Sequence, residues 1–219
     1  MLQKIGFKLI VIGYNHNFGK NREGNLASLE KLQTECTVNN RTIFAVKQVP
    51  KFSLTNNNVS SSTIRKMFEH DDIEQINKLL GYHYFIAGNV QAGNGIGATI
   101  GFPTANLNTF STYKAIPKHG VYFCSVQVFN KQYWGITNIG FAPTFENNNA
   151  TTSKNKLKLE VHIFDFFGDI YDVNIIVSFI KYLRKEKKFN NKDELIKQIQ
   201  NDVVVCKQLI AQQKTTIKN

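Results

Sequence analysis

From Tyr82 onward the apolar residues fall into short alternating runs separated by turns, at 84–91, 104–108, 120–129, 132–138, 157–164 and 170–175. Each run has the length of one strand and one apolar face, and several at this spacing predict a small closed antiparallel barrel. Beyond them Leu195, Ile199, Val203 and Leu209 recur at helix-like intervals, so a C-terminal helix is expected. The segment before Tyr82 has a different pattern. Leu9-Ile10-Val11-Ile12, closed by Gly13, reads as a buried parallel-type strand; Leu26, Leu29 and Leu32 have helical spacing; residues 41–49 read as another strand. Strand, helix, strand in that order indicates an α/β arrangement. An Asn- and Ser-rich loop over 52–62 leads to a helix that Ser61 or Ser62 can cap ahead of Ile64, Met67 and Phe68. A second helix begins at Asp72, places Ile73, Ile76, Leu79 and Leu80 on one face and stops at Gly81. Gly81 is therefore taken as a boundary between residues 1–80 and 81–210, with 211–219 as a flexible tail.

One stretch inside the barrel region carries polar groups in a chemically specific order. A glycine-rich segment, Gly88 through Gly93, Gly95 and Gly97, runs into Gly101-Phe102-Pro103-Thr104-Ala105-Asn106-Leu107. Pro103 forbids a helix there, so the segment is read as a strand entered from a loop. Thr104 and Asn106, two residues apart, then point to the same side. Two neutral oxygens beside a flexible loop suit Mg²⁺, which takes few protein oxygens and completes its shell with water and phosphate. The same residues also fit an ordinary strand with two polar positions.

Composition narrows the class. The chain has 219 residues, 42% of them apolar and 17 of them Phe, enough for a packed core. No apolar run reaches bilayer length, and the first residues lack the apolar core of a signal peptide, so the chain is expected in the cytoplasm and off the membrane. Cys36, Cys124 and Cys206 are far apart and in no Cys-x-x-Cys spacing, which argues against a disulfide framework and a zinc site. The net charge of +11 raises a nucleic-acid reading. Much of that excess is Lys181, Lys185, Lys187, Lys188, Lys192, Lys197 and Lys207, mixed with Glu186, Asp193 and Glu194 on what reads as a solvated helical face. An ATP-binding enzyme would carry the same sign of charge, and nucleic acid is not favoured.

Two nucleotide motifs fail on inspection. Gly13 to Asn21 follows a strand, but it has five residues between its glycines and Asn21 where a P-loop needs Ser or Thr for Mg²⁺. Gly93-Asn94-Gly95-Ile96-Gly97-Ala98 fits a dinucleotide fingerprint in letters only, because Pro103 prevents the helix whose N-terminus would bind pyrophosphate. These glycines still let backbone amides approach phosphates from a loop. Further on, Leu157 to Ile163 alternates cleanly, with Lys158, Glu160 and His162 on one face. Taken alone, such a glutamate is a solvated strand residue.

The stretch Gly101 to Leu107, following its glycine loop, resembles the signature of riboflavin kinases, in particular the C-terminal half of the bacterial bifunctional riboflavin kinase/FAD synthetase family. The resemblance extends in order through Ser60-Ser61-Ser62-Thr63-Ile64-Arg65, Leu79-Leu80-Gly81, His119-Gly120-Val121-Tyr122, Asn138-Ile139-Gly140 with Pro143-Thr144, Leu159-Glu160-Val161-His162, and Leu183-Arg184-Lys185-Glu186-Lys187-Lys188-Phe189. It implies a mixed fold, a truncated α/β (Rossmann-like nucleotidyltransferase) fragment followed by a small antiparallel Greek-key β-barrel with a C-terminal helix. The riboflavin kinase domain would be complete.

The implied activity is transfer of the ATP γ-phosphate to the riboflavin 5′-hydroxyl, giving FMN. The resemblance assigns Glu160 as catalytic base, Thr104 and Asn106 to Mg²⁺, and Gly93, Gly95, Gly97, Gly101, Pro103 and Thr104 to the nucleotide. Arg184, Glu186 and Phe189 would border the flavin ring, where a guanidinium plane, a carboxylate and an aromatic each have a partner. Ser61, Ser62 and Arg65 match a phosphate motif of the adenylyltransferase half. The family opens that half with a His-x-Gly-His element, which is not found here, and Asn15 and Asn17 stand where it usually has Asp and Arg. Residues 1–80 are thus expected to be an inactive adenylyltransferase remnant, with an exposed sheet edge that invites a partner chain or self-association. Ala98 and Ala142 stand where the bacterial family usually carries arginine. Two alternatives stay open: a bifunctional enzyme completed by a separate N-terminal chain, or a non-catalytic flavin- or RNA-binding remnant.

Overall fold

The structure is a computed structural model and describes residues 6–37, 43–51, 53–54, 57–70, 73–109, 114–142 and 156–216. Pro143 and Thr144 lie outside the described residues. The chain forms two compact units, Met1–Val59 and Ser60–Asn219.

In the first unit β1 (Leu9–Gly13) runs parallel to β2 (Ala45–Val49), with Leu9 opposite Ala45 and Gly13 opposite Val49. Between them in sequence is α1 (Leu26–Glu35). Its start is fixed by a capping box, in which Asn25 Oδ1 accepts from the Ser28 amide at 3.0 Å and Ser28 Oγ accepts from the Asn25 amide at 2.8 Å. Ile12, Leu29 and Phe44 are buried, and Phe7 meets Phe44 edge-on. Inside the stretch read as a loop, β3 (Ser53–Leu54) pairs antiparallel with β4 (Asn57–Asn58).

The second unit begins with α2 (Ser61–Met67) and α3 (Ile73–Leu80). The cap of α2 is Ser60, whose Oγ accepts from the Thr63 amide, and not Ser61 or Ser62, which form the first turn. Gly81 does end α3, at φ +75°. Yet the helix pair packs with the strands beyond Gly81. Phe68, Ile73 and Ile76 share one buried cluster with Tyr84, Ile86 and Val90. Asn77 fastens α3 to the barrel, its Nδ2 donating to the Phe179 carbonyl at 2.9 Å and its Oδ1 accepting from the Tyr84 amide at 2.7 Å. The division of the chain into compact units therefore falls before α2, about twenty residues ahead of the boundary drawn at Gly81.

The barrel comprises β5 (Phe85–Gln91), β6 (Ala105–Thr109), β7 (Gly120–Val128), β8 (Lys131–Ala142), β9 (Lys156–Ile163) and β10 (Asn174–Arg184). A single turn of helix, α4 (Ile96–Thr99), sits in the glycine loop. Hydrogen-bonded order is β10-β5-β6-β9-β8-β7, all antiparallel and closed, so each strand has two partners. The last strand is longer and later than the run at 170–175 suggests. Register shifts between Phe179 and Lys181 and again between Tyr182 and Arg184 break its alternation, leaving Phe179 and Ile180 both buried. Lys181 is consequently on a strand, not on a helical face.

Residues 120–126 are buried on both sides. Tyr122, Cys124, Val126 and Val128 face the barrel interior, while Val121 and Phe123 join a second cluster with Ile136, Phe164, Ile180 and Cys206. Cys206 belongs to α5 (Lys192–Thr216), so this outer cluster seats the last helix on the barrel wall. That helix continues through Thr216, into the stretch read as a tail.

Candidate active site

The wall beside α5 also carries the polar residues. Strand register places Asn106 of β6 opposite Glu160 of β9, and Glu160 opposite Asn138 of β8. Side chains two residues apart share a face, so Ile136, Asn138 and Gly140 on β8 stand beside Lys158, Glu160 and His162 on β9. This face borders a cavity of about 300 Å³ lined by Gly95, Gly97, Phe102 and Thr104 on one side and by Arg184, Glu186, Lys187, Phe189 and Asp202 on the other.

Of the residues expected at the site, Glu160, Thr104, Gly95, Gly97, Arg184, Glu186 and Phe189 therefore line one cavity. Asn106 is adjacent rather than lining it. Its side-chain amide lies against Gly93, where any Cβ would collide with it. Gly97 is equally tight: a Cβ there would strike the Phe102 carbonyl and approach Thr104 Oγ1. Gly95 and Gly101 take left-handed φ of +67° and +82°, which turns the chain around α4. Pro103 lies on a second cavity of about 300 Å³ with Val90, Phe166, Asp169, Ile170 and Tyr171. Thr104 borders both cavities. Ser61, Ser62 and Arg65 are on α2 and line neither.

Arg184 ends β10, and Glu186 and Phe189 lie in the connection before α5, not on the helix itself. Arg184 is locked. Its Nε donates to both Asp202 oxygens at 3.0 Å, its Nη2 to Asp202 Oδ2 at 2.7 Å and its Nη1 to the Lys185 carbonyl at 3.1 Å. Asp202 is 6% exposed, and Gln198 Nε2 donates to its Oδ1 at 2.9 Å. On the same helix, burial and the Asp202 charge push the Cys206 thiol up to about 12. Glu186 accepts from Asn138 Nδ2 at 3.2 Å and rests over Gly140, where a Cβ would meet its carboxylate. Asn138 Oδ1 is buried with no hydrogen-bond partner among the described residues. His162 donates from Nδ1 to the Pro103 carbonyl at 2.8 Å and meets Phe102 edge-on, so the glycine loop is fastened to β9.

The side-chain oxygens of Thr104 and Asn106, one neutral hydroxyl and one neutral amide, stand beside Gly97 and Gly93 of the glycine loop, a donor set that fits a Mg²⁺–phosphate complex. Sequence reasoning missed Asn138, Lys158, His162 and Asp202 as site residues. The alternation around Glu160 was a usable signal for Lys158 and His162; Asp202 has none, because its partner is 18 residues away. Lys114 lines neither cavity and instead faces the Phe85 ring at 3.6 Å, with burial lowering its pKa.

Comparison with known proteins gives two family matches, riboflavin kinase over residues 80–210 and FAD synthetase over residues 1–63. The chain belongs to the riboflavin kinase/FAD synthetase family. A bifunctional riboflavin kinase/FMN adenylyltransferase of Buchnera aphidicola subsp. Schizaphis graminum (strain Sg) is 35% identical over 210 residues, covering 94% of this chain and 63% of its own. That of Listeria monocytogenes serovar 1/2a (strain ATCC BAA-679 / EGD-e) is 35% identical over 193 residues, 88% of this chain and 57% of its own. The chain thus spans less than two thirds of the length of these curated relatives. A crystal structure described as a macrolide-efflux protein from Streptococcus pneumoniae is similar with a TM-score of 0.72 at 30% identity, over 91% of this chain and 60% of that one. Among the described residues no helix is long and apolar enough to cross a membrane.

Proposed function

We propose that this chain is an ATP-dependent riboflavin kinase that transfers the γ-phosphoryl group to the riboflavin 5′-hydroxyl and releases FMN and ADP. The observation that carries the reading is the alignment of Asn106, Glu160 and Asn138 across three neighbouring strands, at the edge of a cavity that holds the expected flavin residues. Glu160 accepts the hydroxyl proton as the oxygen bonds to phosphorus and the bond to the β-phosphate breaks. Arg184, fixed by Asp202, and Phe189 border the flavin ring, and Glu186 accepts its N–H groups. The second cavity, with Phe166 and Tyr171, takes the adenine, so that Thr104 stands between the two substrates. Thr104 and Asn106 would hold Mg²⁺, which when bound would neutralise phosphate charge.

Several finer points belong to the same reading. Asn15 and Asn17 stand where the family usually has Asp and Arg, and on this reading the first unit forms no FAD from FMN. The reaction runs in the cytoplasm, where ATP is supplied. In the first unit Leu9, Val11 and Val49 are each about half exposed on a two-stranded parallel sheet, which supports an interface there with another polypeptide. Incubation with riboflavin, ATP and Mg²⁺ followed by chromatography tests the activity. FMN without FAD is expected; absence of FMN overturns the kinase reading, and FAD overturns the limit on the first unit.

A further inference from the structure

Lys158 lies two residues before Glu160 on β9 and therefore on the same face. Its Nζ is 2.5 Å from Glu160 Oε1, and the two side chains are 33% and 27% exposed, open enough for a substrate to reach. Across the sheet Lys158 faces Gly140, over which the Glu186 carboxylate rests. The other Arg and Lys side chains of the cavity each have a different partner. Arg184 is forked onto Asp202, and the Lys187 ammonium faces the Phe189 ring at 5.8 Å. Lys158 is thus the cavity cation whose counter-ion is the base itself.

Three carboxylates, Glu160, Glu186 and Asp202, line the cavity, and with Asp202 paired to Arg184 it is Glu160 and Glu186 that an incoming polyphosphate would meet. Like charges within several ångströms repel strongly where water is scarce, so a cation paired with the base lowers the repulsion that the phosphoryl group meets, in addition to the charge that Mg²⁺ would neutralise. We infer that Lys158 is a further catalytic residue: its ammonium contacts the γ-phosphoryl group of ATP while holding Glu160 Oε1, leaving Oε2 for the riboflavin hydroxyl. The inference rests on the kinase reading of the same cavity. Lysine suits the task, being a compact charge on a flexible stem that can follow the phosphoryl group. The balance of the reaction is unchanged. The hydroxyl proton passes to Glu160, the new P–O bond forms, the bond to the β-phosphate breaks, ADP leaves with its electron pair, and Lys158 keeps its protons throughout.

The test uses the full chain with Lys158→Met, Lys158→Gln and Lys158→Arg. Removing one charge-stabilising donor at a transferring group costs about 10²- to 10³-fold in kcat, so Met and Gln should fall by that span while Arg retains at least a tenth of wild-type kcat. Riboflavin affinity, read by flavin fluorescence, should stay within about twofold, and affinity for a non-hydrolysable ATP analogue should weaken at least about fivefold, the loss of one phosphate contact. If wild type makes FMN and the Met and Gln variants match it, the role of Lys158 is overturned and the kinase reading stands. If wild type makes no FMN, the kinase reading falls, and analogue binding still decides on Lys158: equal affinity in all variants overturns it. Two neutral variants guard against a folding defect in either one, and inactivity of folded Lys158→Arg alongside them also overturns the charge argument.

Discussion

Glu160 shows how far a single side chain is defined by its neighbours. Its position opposite Asn106 and Asn138 is set by register, and a slip of one residue would turn it into the barrel interior among Leu159 and Val161. Glu160→Gln keeps the shape and removes the proton acceptor, so kcat should drop by roughly 10²- to 10⁴-fold. Flavin affinity, followed by fluorescence quenching, should not change; unaltered turnover would return Glu160 to the role of a solvated strand residue. A second residue-scale prediction concerns Gly93. A Cβ there cannot coexist with the Asn106 amide, so Gly93→Ala should displace Asn106 and raise the Mg²⁺ concentration needed for half-maximal rate. Asn106→Leu removes the oxygen directly and should do the same, as should Thr104→Val. Wild-type Mg²⁺ dependence in all three folded variants would remove these oxygens from the metal site.

At the scale of elements, the pairs and alternations confined to short stretches were readable in the sequence. The helical spacing of α1 and the alternation of β9 are both local, and each element appears within a residue or two of its expected place. β10 was not readable in this way, because two bulges disrupt the period by which a strand is recognised. The lysines after it then looked like one helical face. The tie between α5 and the cavity is also non-local, since Asp202 reaches back to Arg184 across the connecting loop. Asp202→Ala leaves the guanidinium, 23% exposed, without its carboxylate. Breaking a buried pair costs about 3–5 kcal/mol, and partial exposure of Arg184 places this one at the lower end. Urea unfolding should show that loss, and the KM for riboflavin should rise because the guanidinium is no longer held over the cavity. A variant with unchanged stability and KM would make the Arg184–Asp202 pair incidental to both.

For the whole molecule, the question is which residues make up the unit that works. Both cavities and both buried clusters lie within Ser60–Asn219, and the barrel is closed without any strand from the first unit. A polypeptide of residues 60–219 should therefore fold and form FMN with the riboflavin KM of the full chain. One of residues 81–219 should not match it. It would lack Phe68, Ile73 and Ile76, each buried against the barrel and worth about 1.5–3 kcal/mol, together with the two hydrogen bonds of Asn77. That loss is comparable to the roughly 5–15 kcal/mol of net stability typical of a domain. Thermal unfolding of the two fragments checks this directly: the shorter one should melt far lower or show no cooperative transition. Equal melting and equal FMN formation would mean that α2 and α3 are dispensable and that the working unit begins at Gly81, where the sequence pattern changes.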